Sequence, residues 1–241
     1  RSMHEHDSVM QVLFKDAKGK YDFVCFNGDM TSAVDSTAEI RIHYMNTASK
    51  LFASDTPLYL CRGNHEYRGN DAIKYVDYFQ TPTGKTYYSA SYGKYFFLFL
   101  DSGEDKVDSD IRNLDIMMTE KYVQEEAEWL KTVVESEEYK NAEVKIAFCH
   151  IPPSPTGWYG NATVSKYLVP LLNGTGLDLM LCAHIHKYSY REAGKNGCDF
   201  PVLCNANQQR LDATVDKNGI KIEIYDASGA KLHSLKFDKK K

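Results

Sequence analysis

Four polar blocks in this 241-residue chain combine residue types that hold transition-metal ions, and each follows a short apolar run. Tyr21 to Phe26 ends in Asn27-Gly28-Asp29, and Pro57 to Cys61 ends in Arg62-Gly63-Asn64-His65-Glu66. Val144 to Cys149 ends in His150-Ile151-Pro152-Pro153, and Leu177 to Cys182 ends in Ala183-His184-Ile185-His186. In open α/β sheets, ligands collect beyond the carboxyl ends of the strands, so Asp29, Asn64, His65, His150, His184 and His186 are expected to converge. Imidazole nitrogens mixed with a carboxylate and an amide oxygen favour Zn, Mn, Fe or Co over Ca. A carboxylate such as Asp29 can offer one oxygen to each of two ions about 3.5–4 Å apart, a spacing that polarises a phosphoryl group and generates hydroxide at neutral pH. The chemistry implied is hydrolysis. Across His184-Ile185-His186, a period of two predicts both imidazoles on one side of an extended segment. Taken singly, each residue has an ordinary structural reading, a hydrogen-bonded histidine or a Gly-Asp turn. Their ordered recurrence after apolar strands is what singles them out.

Positioning these blocks requires alternating strands and helices. Helix one reads Val9, Val12 and Leu13 after a Ser8 cap, and a second helical stretch runs from about Ser36 to Phe52. Tyr87 to Leu100 predicts a hairpin with a doubly buried second arm. Asp101 to Leu114 reads as a charged loop. From Thr119 to Glu135 the apolar set Val123, Ala127, Leu130 and Val134 predicts a surface helix. Alternation at Ile220, Ile222 and Ile224 and the turn Ser228-Gly229 predict antiparallel C-terminal strands. The Pro- and Gly-rich loop Ile151 to Gly160, with Trp158 and Tyr159, is either a rigid surface connection or a wall over a site.

Composition narrows the function classes. With 29 basic and 33 acidic residues interspersed and a net charge of −4, there is no one-sided positive field for nucleic acid. No apolar run approaches the roughly 20 residues a membrane span needs. No repeat or low-complexity stretch divides the chain, so residues 1–241 read as one domain. Arg1 to Asp7 lacks the apolar segment of a secretory leader and reads as a trimmed end. Of six cysteines, Cys25, Cys61, Cys149 and Cys182 fall in apolar runs and read as buried thiols, whereas Cys198 and Cys204 flank a short segment and could pair.

On these blocks, above all Gly63-Asn64-His65-Glu66, the sequence resembles the calcineurin-like metallophosphoesterase superfamily from His4 to the C-terminal strands. The resemblance implies a four-layer α/β (α+β) fold, a two-sheet β-sandwich flanked by helices, with two divalent or trivalent transition-metal ions (Mn, Zn, Fe or Co) at the strand ends. It implies that Asp29 bridges the metals, that Asn64, His150 and His184 bind one of them, and that His186 binds the other. His65 would sit beside the phosphate, stabilising the transition state or protonating the leaving oxygen, or else orient Asn64. Glu66 would support this shell. A metal-bound hydroxide would attack a phosphomonoester or phosphodiester in line.

The chain departs from that pattern in several places. The family opens with a strand and an Asp-x-His motif, but only Ser2-Met3-His4 stands at a suitable distance, so His4 matches the histidine, Ser2 takes the aspartate's place, and the native first strand is expected to be missing. Ser32 stands where purple acid phosphatases carry a metal-bound tyrosine, and no Asp-Arg-Gly block follows Gly28-Asp29 as in protein Ser/Thr phosphatases. Ala183 replaces the usual glycine, which is tolerable if its φ is negative. The resemblance is closest to purple-acid-phosphatase-like or generic bacterial phosphohydrolases, which implies an extracytoplasmic bacterial origin. Two rival readings are a scaffold of this fold with one metal site lost, and a structural zinc site using Cys149 or Cys182 with nearby histidines. Tyr67, Arg68, Trp158, Tyr159, Lys187 and Tyr188 adjoin the ligand blocks and are candidate contacts to a small phosphoester substrate or ordinary surface residues.

Overall fold

The computed structural model describes residues 3–113 and 117–239, with side chains from residue 8 onward and Arg112 excepted. Helix α1 (Met3–Phe14) leads to β1 (Val24–Asn27). Next come α2 (Thr37–Ile40), extended by π-helical turns over Arg41–Asn46 and Ser49–Ala53, then β2 (Leu58–Cys61) and α3 (Tyr75–Tyr78). The hairpin β3 (Tyr88–Tyr92) and β4 (Tyr95–Leu100) precedes α4 (Thr119–Val134), α5 (Glu137–Asn141) and β5 (Val144–Cys149). After α6 (Tyr159–Tyr167) and α7 (Val169–Leu172) come β6 (Leu179–Cys182), β7 (Ser189–Arg191) and β8 (Val202–Cys204). A meander of β9 (Arg210–Asp216), β10 (Gly219–Tyr225) and β11 (Lys231–Asp238) completes the chain. Ser8, read as a cap, lies inside α1, which begins earlier than its apolar spacing suggests.

A six-stranded sheet in the order β3-β4-β5-β6-β8-β7 forms the centre, with β4, β5, β6 and β8 parallel. Burial on both faces explains the uninterrupted apolar run of β4. Leu98, Leu100, Ala147, Cys149, Met180 and Cys182 pack against Val123, Leu130, Leu168 and Leu172 of the α4, α6 and α7 region. Phe97, Phe99, Ile146, Leu179 and Leu181 face the second layer, where they meet Cys61, Ile220, Ile222 and Ile224. On the far side of that layer, Val24, Phe26 and Leu60 pack against Met10, Ile40, Tyr44 and Phe52. The result is the expected order of helices, sheet, sheet and helices.

The second β layer consists of two hydrogen-bonded pieces, the parallel pair β1-β2 and the antiparallel meander β11-β10-β9. Strands β1 and β9, each at the end of its sheet, line one cavity of about 1130 Å³. Its other walls include Phe97, Ile146, Phe148 and Leu181 of the central sheet and Met10 and Leu13 of α1. Asn27 Oδ1, Asn205 Oδ1 and Gln209 Oε1, from residues lining that cavity, are buried without hydrogen-bond partners among the described residues.

All six cysteines are free thiols, so the pairing considered for Cys198 and Cys204 is absent; Cys204 instead faces Cys182 across the β6-β8 ladder. The charged loop expected after β4 is folded inward: Asp101, Ser102, Glu104 and Asp105 are buried, with Asp101 paired with Arg62 and with Glu104 and Asp105 paired with Arg68. Among the described residues no helix is long and apolar enough to cross a membrane.

Candidate metal centre

Parallel pairing of β1 with β2 ends in register at Asn27 and Cys61, so the loops Gly28-Asp29 and Gly63-Asn64 leave the sheet side by side. Only glycine permits their contact. A Cβ on Gly28, whose φ is 81°, would lie 2.5 Å from His150 Nδ1, and one on Gly63 would lie 2.4 Å from Asp29 Oδ1. Glu66 ties the loops together from below: its Oε2 accepts from Asp29 N and Gly63 N at 2.9 and 2.8 Å, and its Oε1 accepts from Met30 N at 2.8 Å and from the Tyr44 hydroxyl. Each loop is thereby fixed to the same fully buried carboxylate.

The parallel neighbours β5 and β6 deliver His150 and His184 to the same end of the molecule. One ligand atom from each of Asp29, His150 and His184 lies within 4.8 Å of the others. Donors sharing one ion at about 2.1 Å are at most about 4.2 Å apart, so a small side-chain adjustment closes the set. Asn64, almost wholly buried, places its Oδ1 3.1 Å from His184 Nδ1. These four predicted ligands therefore converge.

The donor set fits a cation for a further reason. His150 Nδ1 donates to the Asn27 carbonyl at 2.6 Å, which leaves Nε2 with a lone pair in the neutral ring. That Nε2 is buried, lies 3.0 Å from Asp29 Oδ2, and makes no hydrogen bond. Two electron-rich atoms held so close call for a positive charge. A proton can serve: although burial opposes it, the Asp29 carboxylate raises the His150 pKa. Burial likewise pushes Asp29 up, but His150 outweighs it and holds the carboxyl well below the usual range. His184 is lowered to about 4 by burial and then by its neighbour His150, so near neutral pH it offers a lone pair. A mixed carboxylate, imidazole and amide donor set of this kind suits Zn, Mn, Fe or Co.

Backbone strain concentrates here. Asp29, His184 and His186 have φ of 55°, 62° and 56°, a left-handed region that non-glycine residues seldom occupy. Such conformations persist where the surroundings impose them, and they cluster at functional sites. They also correct the extended reading of His184-Ile185-His186: β6 stops at Cys182, and Ile185 N donates to the Ala183 carbonyl at 2.6 Å in a tight turn. Ala183 itself keeps a negative φ, which explains why glycine is dispensable there.

His65 lies beside the centre, with its N–H on Asp29 Oδ1 at 3.1 Å, its Nδ1 2.8 Å from the Ser32 carbonyl and its Nε2 4.0 Å from Asp29 Oδ2. Its side chain is 35% exposed, so the ring faces solvent. His186 is exposed and lines the cavity that also reaches Asp29, outside the compact group. The backbone of His4 belongs to α1, while its side chain and Ser2 lie outside the described residues. Among the described residues the metal-capable group contains no cysteine, which leaves the structural zinc reading without support.

Of the neighbouring candidates, Tyr67 donates to Asp101, Tyr159 donates to Glu120, and Tyr188 stacks on His233. Trp158 is 70% exposed, and no residue of the Ile151 to Gly160 loop is among those lining the cavity. The acidic cluster after β4, Asp101 with Glu104 and Asp105, is not among the residues expected near the site from sequence. Its signal was the apolar run Tyr95 to Leu100 ending in Asp101-Ser102-Gly103, a fifth strand end in register with β5.

Comparison with known proteins agrees with this geometry. No curated protein matches the chain in sequence. A purple acid phosphatase, PPD1 from yellow lupin (Lupinus luteus) seeds, shares the fold with a TM-score of 0.69 and 16% identity, covering 96% of this chain and 49% of its own. The chain thus spans about half the length of the lupin protein. GAP50, the anchor in the inner membrane complex of Plasmodium, aligns with a TM-score of 0.59 and 13% identity over 98% of this chain and 85% of its own. Residues 3–188, which include every ligand block, match the Calcineurin-like phosphoesterase family, and the chain belongs to that family.

Proposed function

We propose that the protein is a metal-dependent phosphoesterase that hydrolyses small phosphomonoesters or phosphodiesters at the centre built on Asp29. The observation that carries this reading is the convergence of Asp29, His150, His184 and Asn64, with His150 Nε2 buried 3.0 Å from an Asp29 carboxylate oxygen. Metal ions held there would polarise a phosphoryl oxygen and make water reactive near neutral pH. Asp29 and Asn64 are the oxygen donors; His150 and His184 are the nitrogen donors. With Nδ1 occupied by the Ser32 carbonyl, His65 has Nε2 left to exchange a proton with the leaving oxygen, or to donate to a phosphoryl oxygen as charge develops.

A second ion, sharing Asp29, would take His186. The cavity between β1 and β9 supports this part of the reading. It has an apolar wall on the central sheet and side-chain acceptors awaiting donors, and it reaches Asp29, His184 and His186.

The test is hydrolysis of p-nitrophenyl phosphate and bis(p-nitrophenyl) phosphate with added Mn, Zn or Co, alongside metal content. Activity that requires metal and disappears in His150→Ala is expected. Inertness toward both esters with every metal, in a protein that binds metal normally, contradicts the reading and favours a binding scaffold.

A further inference from the structure

Beside His65 stands a guanidinium that neutralises two buried carboxylates and keeps one nitrogen next to the His65 ring. Arg68 Nε donates to Glu104 Oε2 at 2.9 Å, and Nη2 donates to Glu104 Oε1 at 2.7 Å and Asp105 Oδ1 at 3.0 Å. Glu104 and Asp105 are buried, whereas the Arg68 side chain is 26% exposed, so it is pinned from the interior while part of it stays accessible. The remaining nitrogen, Nη1, lies 3.5 Å from His65 Nε2, the ring atom that is itself 4.0 Å from Asp29 Oδ2. Gly69, at φ 102°, locks the following turn against Val34, and Val34 N donates to the Arg68 carbonyl at 2.7 Å, so the backbone that carries the side chain is also held.

We infer that Arg68 is a substrate-binding residue that presents Nη1 to a non-bridging oxygen of a phosphomonoester and so selects dianionic monoesters over diesters. Two of its nitrogens are committed to a two-carboxylate anchor, which fixes the fork without further ordering when substrate arrives. A monoester keeps three non-bridging oxygens and about two negative charges near neutral pH, whereas a diester has replaced one of those oxygens with an ester group. An oxygen engaged between the metal centre, His65 Nε2 and Arg68 Nη1 is therefore available in the first and more costly to supply in the second. Lysine at this position would keep the charge and its attraction to Glu104, but its compact ammonium cannot hold both carboxylates and also offer a planar donor to the site.

This inference rests on the phosphoesterase reading, and its test separates the two. Arg68→Lys, which leaves no buried carboxylate without a cation, is compared with Arg68→Met and the unaltered protein, all loaded with Mn and checked for an unchanged metal content and a cooperative thermal transition. Titration calorimetry with inorganic phosphate reads binding directly; p-nitrophenyl phosphate and bis(p-nitrophenyl) phosphate read turnover. Loss of a charge-assisted bond to a dianion predicts phosphate affinity down about tenfold or more in both variants, and kcat/KM for the monoester down by a similar or larger factor with the diester changed by less than about threefold. Phosphate affinity unchanged in Arg68→Lys overturns the inference, as do equal losses on both esters. Should the unaltered protein hydrolyse neither ester yet bind phosphate through Arg68, the hydrolytic reading fails and the anion-binding role stands.

Discussion

Replacing Glu66 by glutamine probes the device that holds the two ligand loops together. The carboxylate accepts two backbone N–H groups on Oε2, from Asp29 and Gly63, and on Oε1 it accepts those of Met30 and Thr31 as well as the Tyr44 hydroxyl. Glutamine keeps the shape but must turn an NH₂ toward one of these groups of donors. The less costly orientation places it against Asp29 N and Gly63 N, which then lose their acceptor and face another donor. Each buried donor left unsatisfied costs about 1–3 kcal/mol, so Glu66→Gln is expected to lose about 2–6 kcal/mol. That is a large share of a typical domain stability of about 5–15 kcal/mol. Urea denaturation with chelator present, read by circular dichroism, gives the value from the shift in midpoint at constant slope. Because Asp29 N is one of the released groups, Mn affinity should fall together with stability. A loss below about 0.5 kcal/mol, the level of an ordinary surface substitution, would refute the assignment of Glu66 as the loop anchor.

Other consequences can be checked in parallel. Gly63→Ala pushes a methyl to within 2.4 Å of Asp29 Oδ1 and 2.5 Å of Asp29 N, so Mn affinity measured by calorimetry should drop by more than about tenfold, and an unchanged affinity would argue against the close approach of the two loops. In metal-free protein, His184 has its pKa depressed from 6.5 to about 4 by burial, so the unfolded chain binds the extra proton more readily; stability should be complete above about pH 6.5 and decline as pH falls toward 4. His184→Gln should flatten that part of the urea-midpoint profile, and an identical slope would assign the proton elsewhere.

Much of this site was legible before any coordinates, because apolar strand-sized runs ending in polar blocks carry their own geometry. Parallel pairing brings all such ends to one edge, so Asp29, Asn64, His150 and His184 meet although they span most of the chain. Periodicity also placed α4, whose Val123, Ala127, Leu130 and Val134 are all buried, and β10, whose three isoleucines face the core. What stayed hidden depends on tertiary contact. Left-handed φ at His184 and His186 turned an expected extended pair into a tight bend, and no spacing rule reports that. The segment after β4 reads only as a charged loop, and that Arg62 and Arg68, distant in sequence, pair with its buried acids is a matter of tertiary contact. Glu66 could be assigned a supporting part from its block, but its role as a shared acceptor for two loops required the loops to be side by side.

The central claim is that these strand ends hold a metal. Diffraction from Mn-soaked crystals, with anomalous difference maps recorded near the metal edge, tests it most directly. The account predicts a peak at coordination distance, about 2.0–2.2 Å, from Asp29 Oδ2, His150 Nε2 and Asn64 Oδ1, with His184 completing the set, and its disappearance in His150→Ala. Anomalous density confined to other surface carboxylates or to the chain termini, with this pocket unchanged, would contradict it.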